Sequence, residues 1–278
     1  MGTRGSNPLP FEISYYMQLF KKSKTIREKN SNWKNHVDCN YLEKFLVGLI
    51  DGDGYITTRI CKNNEFRFEI RIELKFTIQN DQMLNLFISE LNLGRCHYRT
   101  INRIKEKIIW LVDTKDGVLK MLAIFNKYPP LTRRRLCQLD RLKFFITNKC
   151  SKTFLETKLT FIEMSPRVYI TADECLNLSY FPEWLSGFRE AEGSFYIDGI
   201  VLTYEIGQKS ESGIVYAIKD YFSIQSKVYD YFLPSGQPYF KVKARRKSAL
   251  IKVYCHFSQY FLLGEKIISF KNIFKDWE

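Results

Sequence analysis

Residues 45–56 read "FLVGLIDGDGYI". An apolar run ends on two aspartates and two glycines. The chain nearly repeats this at residues 184–197, "WLSGFREAEGSFYI". Aligning Leu46 with Leu185 brings Gly48 onto Gly187, Asp53 onto Glu192 and Gly54 onto Gly193. The same register pairs Asn40 with Ser179, both good helix N-caps, and Glu43 follows Asn40 as in a capping box. Pro182 falls in the first turn of the second copy, where its missing N–H costs nothing. Gly54 and Gly193 suit the left-handed residue that closes a helix. Each stretch therefore reads as a helix of about three to four turns with matched start and stop signals.

A carboxylate is misplaced at such a helix end. The C-terminus carries partial negative charge, and an acid there costs roughly 0.3–1 kcal/mol. Making the misplacement twice in register implies that something positive sits there. A carboxylate beside the free carbonyls of a helix end suits a hard divalent cation such as Mg²⁺. Gly48 and Gly187 lack side chains at the same height, so the two helices can cross with their backbones close. Asp53 and Glu192 then meet at one edge of the pair, where without a cation they repel and one keeps its proton.

The repeat continues past the helices. Residues 66–79, "FRFEIRIELKFTIQ", alternate strictly between apolar and polar, a strand with one buried and one wet face. Asn80 then caps a helix that stops at Gly94, strands follow near 95–102 and 107–113, and helices near 115–127 and 132–147 flank Pro129-Pro130. The second copy is compressed: strands around 194–208, a helix near 212–224, strands near 227–232, 239–246 and 249–255, and a last helix near 263–275. The expected organisation is an N-terminal extension 1–39 whose residues 1–6, "MGTRGS", look like a cloning scar, a first unit 40–149, a partly packed connector 150–178, and a second unit 179–278. The class is α/β (α+β), two pseudo-repeated units with antiparallel sheets.

Lys and Arg exceed Asp and Glu by 43 to 30 in the 278 residues, a net charge of +13. A surplus of that size points to a polyanionic partner, nucleic acid before an acidic membrane surface. No apolar run approaches the ~20 residues of a membrane span, and no secretory pattern opens the chain. The seven cysteines are scattered without a CxxC pair, which argues against a disulfide framework and a zinc site. Walker, dinucleotide and HExxH patterns are absent, and Tyr55 stands where an EF-hand needs a third acid.

"LVGLIDGDG" (46–54) and "LSGFREAEG" (185–193) resemble the two signature motifs of the LAGLIDADG homing endonucleases in their single-chain form. The resemblance covers the chain from about residue 40 onward, with Arg189 departing from the usual apolar residue. It implies two pseudo-symmetric αββαββα units, a saddle of antiparallel sheets over double-stranded DNA, and motif helices packed between the units. It further implies divalent-metal cleavage of both strands across the minor groove, an intron-encoded origin, and a mitochondrial or other organellar matrix location. Metal falls on Asp53 and Glu192, with the carbonyls of Gly52 and Ala191. A polar residue at the end of the second strand falls on Gln79 and Gln208, which serve either the water network or simply as strand caps.

Basic residues by the cleavage centre come from aligning "YPPLTRRRL" (128–136) with "YFLLGEKI" (260–267) on the tyrosine, which pairs Arg134 with Lys266; a solvated charge run is the alternative. On the strand faces, Thr57, Arg59, Arg67, Glu69, Arg71, Glu73, Lys75 and Thr77, and in the second copy Lys241, Lys243 and Arg245, can read major-groove donors and acceptors or keep a face wet. The unlike halves in one chain imply a monomer on a long, non-palindromic site. An intron RNA maturase and a non-cleaving nucleic-acid-binding protein remain alternatives. A PD-(D/E)xK nuclease built on Asp53 and "ELK" (73–75) ranks below them: aligned on the glutamines, the second copy has Leu202 and Tyr204 there.

Overall fold

The structure, a computed structural model, describes residues 37–61, 65–148 and 168–277. Most of the expected N-terminal extension, with its scar, and residues 150–167 of the connector lie outside the described residues.

The first unit runs α1 (Cys39–Asp53), β1 (Gly54–Ile60), β2 (Phe66–Lys75), α2 (Ile78–Leu91), β3 (Arg95–Ile101), β4 (Ile104–Val112), α3 (Lys115–Lys127) and α4 (Arg133–Thr147). After a short α5 (Ala172–Leu176), the second repeats the order with α6 (Phe181–Glu192), β5 (Gly193–Asp198), β6 (Val201–Lys209), α7 (Ser212–Tyr221), β7 (Tyr229–Phe232), β8 (Pro238–Ala244), α8 (Lys247–Gln259) and α9 (Lys266–Phe274). Both sheets are antiparallel with the same order, β1-β2-β4-β3 and β5-β6-β8-β7. The dry faces, Ile70, Ile72, Ile108 and Trp110 in one and Tyr204, Ile206 and Val242 in the other, pack into the core.

α1 and α6 cross at the centre. A Cβ on Gly48 would lie 1.9 Å from the Trp184 carbonyl oxygen, and one on Gly187 would lie 1.9 Å from that of Phe45. The pseudo-two-fold brings counterparts face to face: Gly52 meets Ala191, and Lys44 Nζ bonds Glu183 Oε1 at 2.7 Å. An exact homodimer would set lysine against lysine there, so this joint suits two unlike halves in one chain. The hydroxyls of Tyr41 and Tyr180, another matched pair, reach into the opposite units, to the Phe261 and Pro129 carbonyls at 2.6 and 2.7 Å. Gly48→Ala forces the backbones apart. The expected loss is about 2–3 kcal/mol, read as a Tm lowered by about 4–12 °C; an unchanged melt would show that the helices cross less closely.

Several local expectations are corrected. The cap of α1 is Asp38, which accepts from Tyr41 N at 2.7 Å. Asn40 and Glu43 instead turn to α3, accepting from Lys127 Nζ at 3.2 and 3.1 Å. α6 starts after Tyr180, without a side-chain cap. Gly54 and Gly193 are extended, with φ of −76° and −106°. They are glycine for space: a Cβ would fall 2.5 Å from Ile50 Cα and 2.1 Å from Arg189 Cδ respectively. β2 stops at Lys75, and Thr77 rather than Asn80 caps α2. Residues 249–255 are helical, because Ala249, Leu250, Val253, Tyr254 and Phe257 recur at helical spacing and bury one stripe. Each unit thus closes on two helices. The described part of the connector is packed, with the Ile170 carbonyl against Gly213 and Cys175 buried.

Candidate active site

Asp53 and Glu192 are the last residues of α1 and α6, and the crossing carries both to one edge. A Cβ on Gly52 would stand 3.3 Å from Glu192 Cγ, so the ends nearly touch. Both carboxyls are raised above their ordinary values. For Asp53 the cause is lost hydration, opposed by Arg135 and Lys266. The residue as a whole is exposed, so the effect is that of a carboxyl at the rim of a cleft. For Glu192 it is lost hydration and then the charge of Asp53, opposed by Gln208, Arg135 and Lys209. Two neighbouring acids, both raised by lost hydration and one also by the other's charge, fit a site for a hard cation. Among the described residues no cluster of three or more His, Cys, Asp or Glu assembles, so an ion here completes its shell from backbone, water or substrate oxygens.

The other acid of each motif does different work. Asp51, 2% exposed, accepts from Leu131 N, Thr132 N, Thr132 Oγ1 and Trp184 Nε1 at 2.7, 3.1, 2.6 and 2.8 Å. Its counterpart Glu190 accepts from Gly264 N and Lys266 N at 2.8 and 3.3 Å. Each motif helix thereby holds the N-terminus of its unit's last helix, where a carboxylate is favoured. Residues near the starts of α2 and α7 reach the same ends across the units: Asn80 Oδ1 accepts from Glu265 N at 2.9 Å, and Glu211 Oε1 from Arg133 N at 2.7 Å. Burial pushes Glu211 up to about 7.

Two buried guanidiniums underlie the helix ends. Arg135 donates from Nε to Ile50 O at 2.7 Å and from Nη2 to Gly52 O at 2.8 Å. The Gly52 carbonyl, expected to face a metal, is thus engaged by Arg135. Arg189 is completely buried; it neither faces out nor pairs across the units. It folds beneath its own helix, donating to Gly193 O at 2.7 Å with its guanidinium 4.2 Å from the centre of the Phe195 ring. Burial lowers both to about 10. In the tyrosine alignment, Tyr128 and Tyr260 both follow the preceding helix as its C-cap. By it Arg135 matches Ile267, while Arg189 matches Ile50. Each half supplies one buried cation to its helix end, from a different element.

The strand-end match needs correction. Gly54 pairs with Ile72, and Gly193 with Ile206. Counting on, Leu74 matches Gln208 and Lys75 matches Lys209. Gln208 donates to Glu192 Oε1 at 3.2 Å, whereas Gln79 lies in the first turn of α2. The longer first hairpin misled the glutamine alignment. The ladder also places Gly207 opposite the role of Glu73, so the second half still lacks the acid that a PD-(D/E)xK site needs. Lys266 lines a cavity of about 160 Å³ with Asp53, Glu73, Lys75 and Ala191. Arg134 is exposed in the first turn of α4.

One sheet face gathers the polar residues. Thr57, Arg59, Arg67, Glu69, Arg71, Glu73 and Lys75 share it through their pairings, and Arg95, His97, Arg99 and Lys107 on the next strands extend it. Thr77 does not belong, being a helix cap. In the second sheet Lys241 and Lys243 flank Glu205, at 3.5 and 2.8 Å, and Arg245 pairs with Asp198. The acids hold the cations: Arg59 to Glu69 at 3.0 Å and Lys107 to Glu73 at 2.6 Å. Asp51, Glu190, Arg135 and Lys209 were not anticipated as site residues; for Lys209 a signal existed, the lysine that closes each second strand.

Residues 46–145 match the model of a family described as LAGLIDADG endonuclease. The chain is 30% identical, over 87% of its length, to the "Probable intron-encoded endonuclease aI3" of Dictyostelium citrinum, and covers 98% of that protein. A relative of the same name from Debaryomyces hansenii is 26% identical over 88% of this chain, which spans 39% of that longer protein. The fold is like that of the LAGLIDADG meganuclease I-AabMI bound to uncleaved DNA, with TM-score 0.64 and 20% identity over 84% of this chain and 90% of that one. It is equally like the I-LtrWI endonuclease bound to target DNA, with TM-score 0.64 and 17% identity over 86% and 90%.

Proposed function

The chain belongs to the LAGLIDADG endonuclease family and is a homing endonuclease; on that premise we propose that it acts as a monomer, binds one long non-palindromic site in double-stranded DNA, and hydrolyses a phosphodiester in each strand with Mg²⁺. Residues 40–149 and 179–278 each read one side of the site, and the protein works in a mitochondrial or other organellar matrix. The observation that carries this reading is the pairing of Asp53 and Glu192 at the foot of two crossed helices, between two sheets with cationic faces.

Asp53 and Glu192, with the carbonyl of Ala191, would hold the metal, which when bound supplies a Lewis acid for water and for the phosphate oxygens. The chain's own residues do the rest. Gln208 fixes the orientation of Glu192. Lys266 and Lys75 beside Asp53, Lys209 beside Glu192, and Arg134 place positive charge where negative charge grows on the phosphate. Arg135 ties down the helix end that carries Asp53. Arg59, Arg67, Arg71, Lys241 and Lys243 meet the DNA, their acidic neighbours restricting their rotamers before binding.

Selection from a random duplex library tests the reading. With Mg²⁺ the cleaved molecules should share a long sequence without two-fold symmetry. EDTA should stop cleavage, and the mass in solution should be that of one chain. A palindromic consensus or an obligate dimer would refute the assembly, and cleavage in EDTA the metal dependence.

A further inference from the structure

The two half-sites are chemically unlike at one pair of matched positions. β2 pairs Lys75 with Lys107, and β6 pairs Lys209 with Tyr239, so Tyr239 stands where the first unit has Lys107. In the first unit Lys107 Nζ is held by Glu73 Oε1 at 2.6 Å. In the second, Gly207 takes the place of Glu73 and leaves nothing to bind. The phenol lies over the bare strand instead: a Cβ on Gly207 would be 2.6 Å from the Tyr239 hydroxyl and 2.9 Å from its Cε1. The adjoining residue is Gln208, whose amide contacts Glu192. The ring packs on Tyr231, with centroids 5.4 Å apart.

We propose that Tyr239 is a catalytic residue of the second half-site, its hydroxyl donating a hydrogen bond to a non-bridging oxygen of the phosphate cut beside Glu192. This rests on the nuclease reading above. Burial, then the charge of Glu192, push the phenol up to about 12. It is therefore protonated, and a donor, throughout the working range of such an enzyme. Gly207 is the enabling residue, since any side chain there would displace the hydroxyl. In the first half the matched residue is a lysine held by Glu73 rather than a phenol, so the two strands are cut by unlike sets of groups.

The test uses the full chain, Mg²⁺, and the duplex recovered by library selection, with each strand labelled separately. Tyr239→Phe keeps the ring and its stacking and removes only the hydroxyl. It should slow one strand by about 100-fold, the effect of removing one preorganised donor, and leave the other strand and the duplex Kd within about twofold. Nicked duplex accumulates, and the intact strand is the one that Gln208→Leu also spares. Tyr231→Phe, the cross-strand neighbour on β7, should cut both strands at the wild-type rate. Equal slowing of both strands, a weakened Kd, or unaltered cleavage by Tyr239→Phe would each overturn the assignment. Failure of the wild-type chain to cut any duplex would instead refute the nuclease reading itself.

Discussion

Asp53→Asn and Glu192→Gln each slow double-strand cleavage by at least about 1,000-fold, the order expected when a group central to transition-state charge stabilisation is lost. Duplex affinity changes little, because the sheet faces that carry it are untouched. The same variants behave unusually in stability. Both carboxyls are raised in the folded protein by burial, and Glu192 also by Asp53. A folded state that binds protons more tightly than the unfolded chain loses stability as pH rises from the ordinary carboxylate range through the raised values. Metal-free protein at neutral pH therefore carries the lost hydration of the Asp53 carboxylate and its repulsion of Glu192, both of which Asp53→Asn removes, and the inactive variant melts higher than wild type without metal. Mg²⁺ should raise the wild-type melt, by an amount equivalent to about 2.7 kcal/mol at a hundredfold excess over Kd, and leave that of Asp53→Asn nearly unmoved. Melts and single-turnover cleavage on the same samples decide it. Wild-type cleavage by either variant, or a Mg²⁺ response in Asp53→Asn equal to wild type, would remove the acids from the site.

Asp51→Ala is expected to be the most destabilising single change. It leaves the amides of Leu131 and Thr132, the Thr132 hydroxyl and the Trp184 indole N–H without their acceptor. A buried donor stranded in this way costs about 1–3 kcal/mol, and relaxation recovers part of it, so the net loss is about 4 kcal/mol or more. Against a total of about 5–15 kcal/mol for a typical fold, that threatens folding. Asp51→Asn keeps one acceptor oxygen but turns an NH₂ toward N–H donors, and should lose about half as much. Urea denaturation followed by tryptophan fluorescence measures both. If Asp51→Ala folds with wild-type stability and fails only in cleavage, then Asp51 belongs to the chemistry and its architectural role is wrong.

The repeat was readable because each of its consequences is local. An apolar helix, a glycine at the crossing height and an acid at the last turn all lie within a dozen residues of one another, twice. Arg59, Glu69, Arg71 and Glu73 likewise share a face by strand alternation alone. The caps were less legible: Asp38 lies two residues before Asn40, and either side chain can accept a backbone N–H, so the choice fell to whichever had no better partner. Asn40 had one on α3. The run 249–255 is short and rich in β-branched and aromatic residues, and only burial on one stripe of α8 separates helix from strand.

By itself the sequence determined that two related helices end in paired acids, that each is followed by an amphipathic antiparallel sheet, and that the whole carries excess positive charge. Periodicity and composition are enough for that, because they act along the chain. Tertiary structure alone decided what the other acid of each motif does: Asp51 and Glu190 turn inward to helix termini more than 70 residues away, while Asp53 and Glu192 stay at the cleft. It also decided that Gln208 has Leu74, not Gln79, as its counterpart, that Arg135 and Arg189 supply the same buried charge from different elements, and that Tyr239 lies over Gly207. The reason is physical. A buried polar group must find its partner wherever the fold delivers one, and strand register, which a hairpin of altered length shifts without trace in the local pattern, sets which side chains meet.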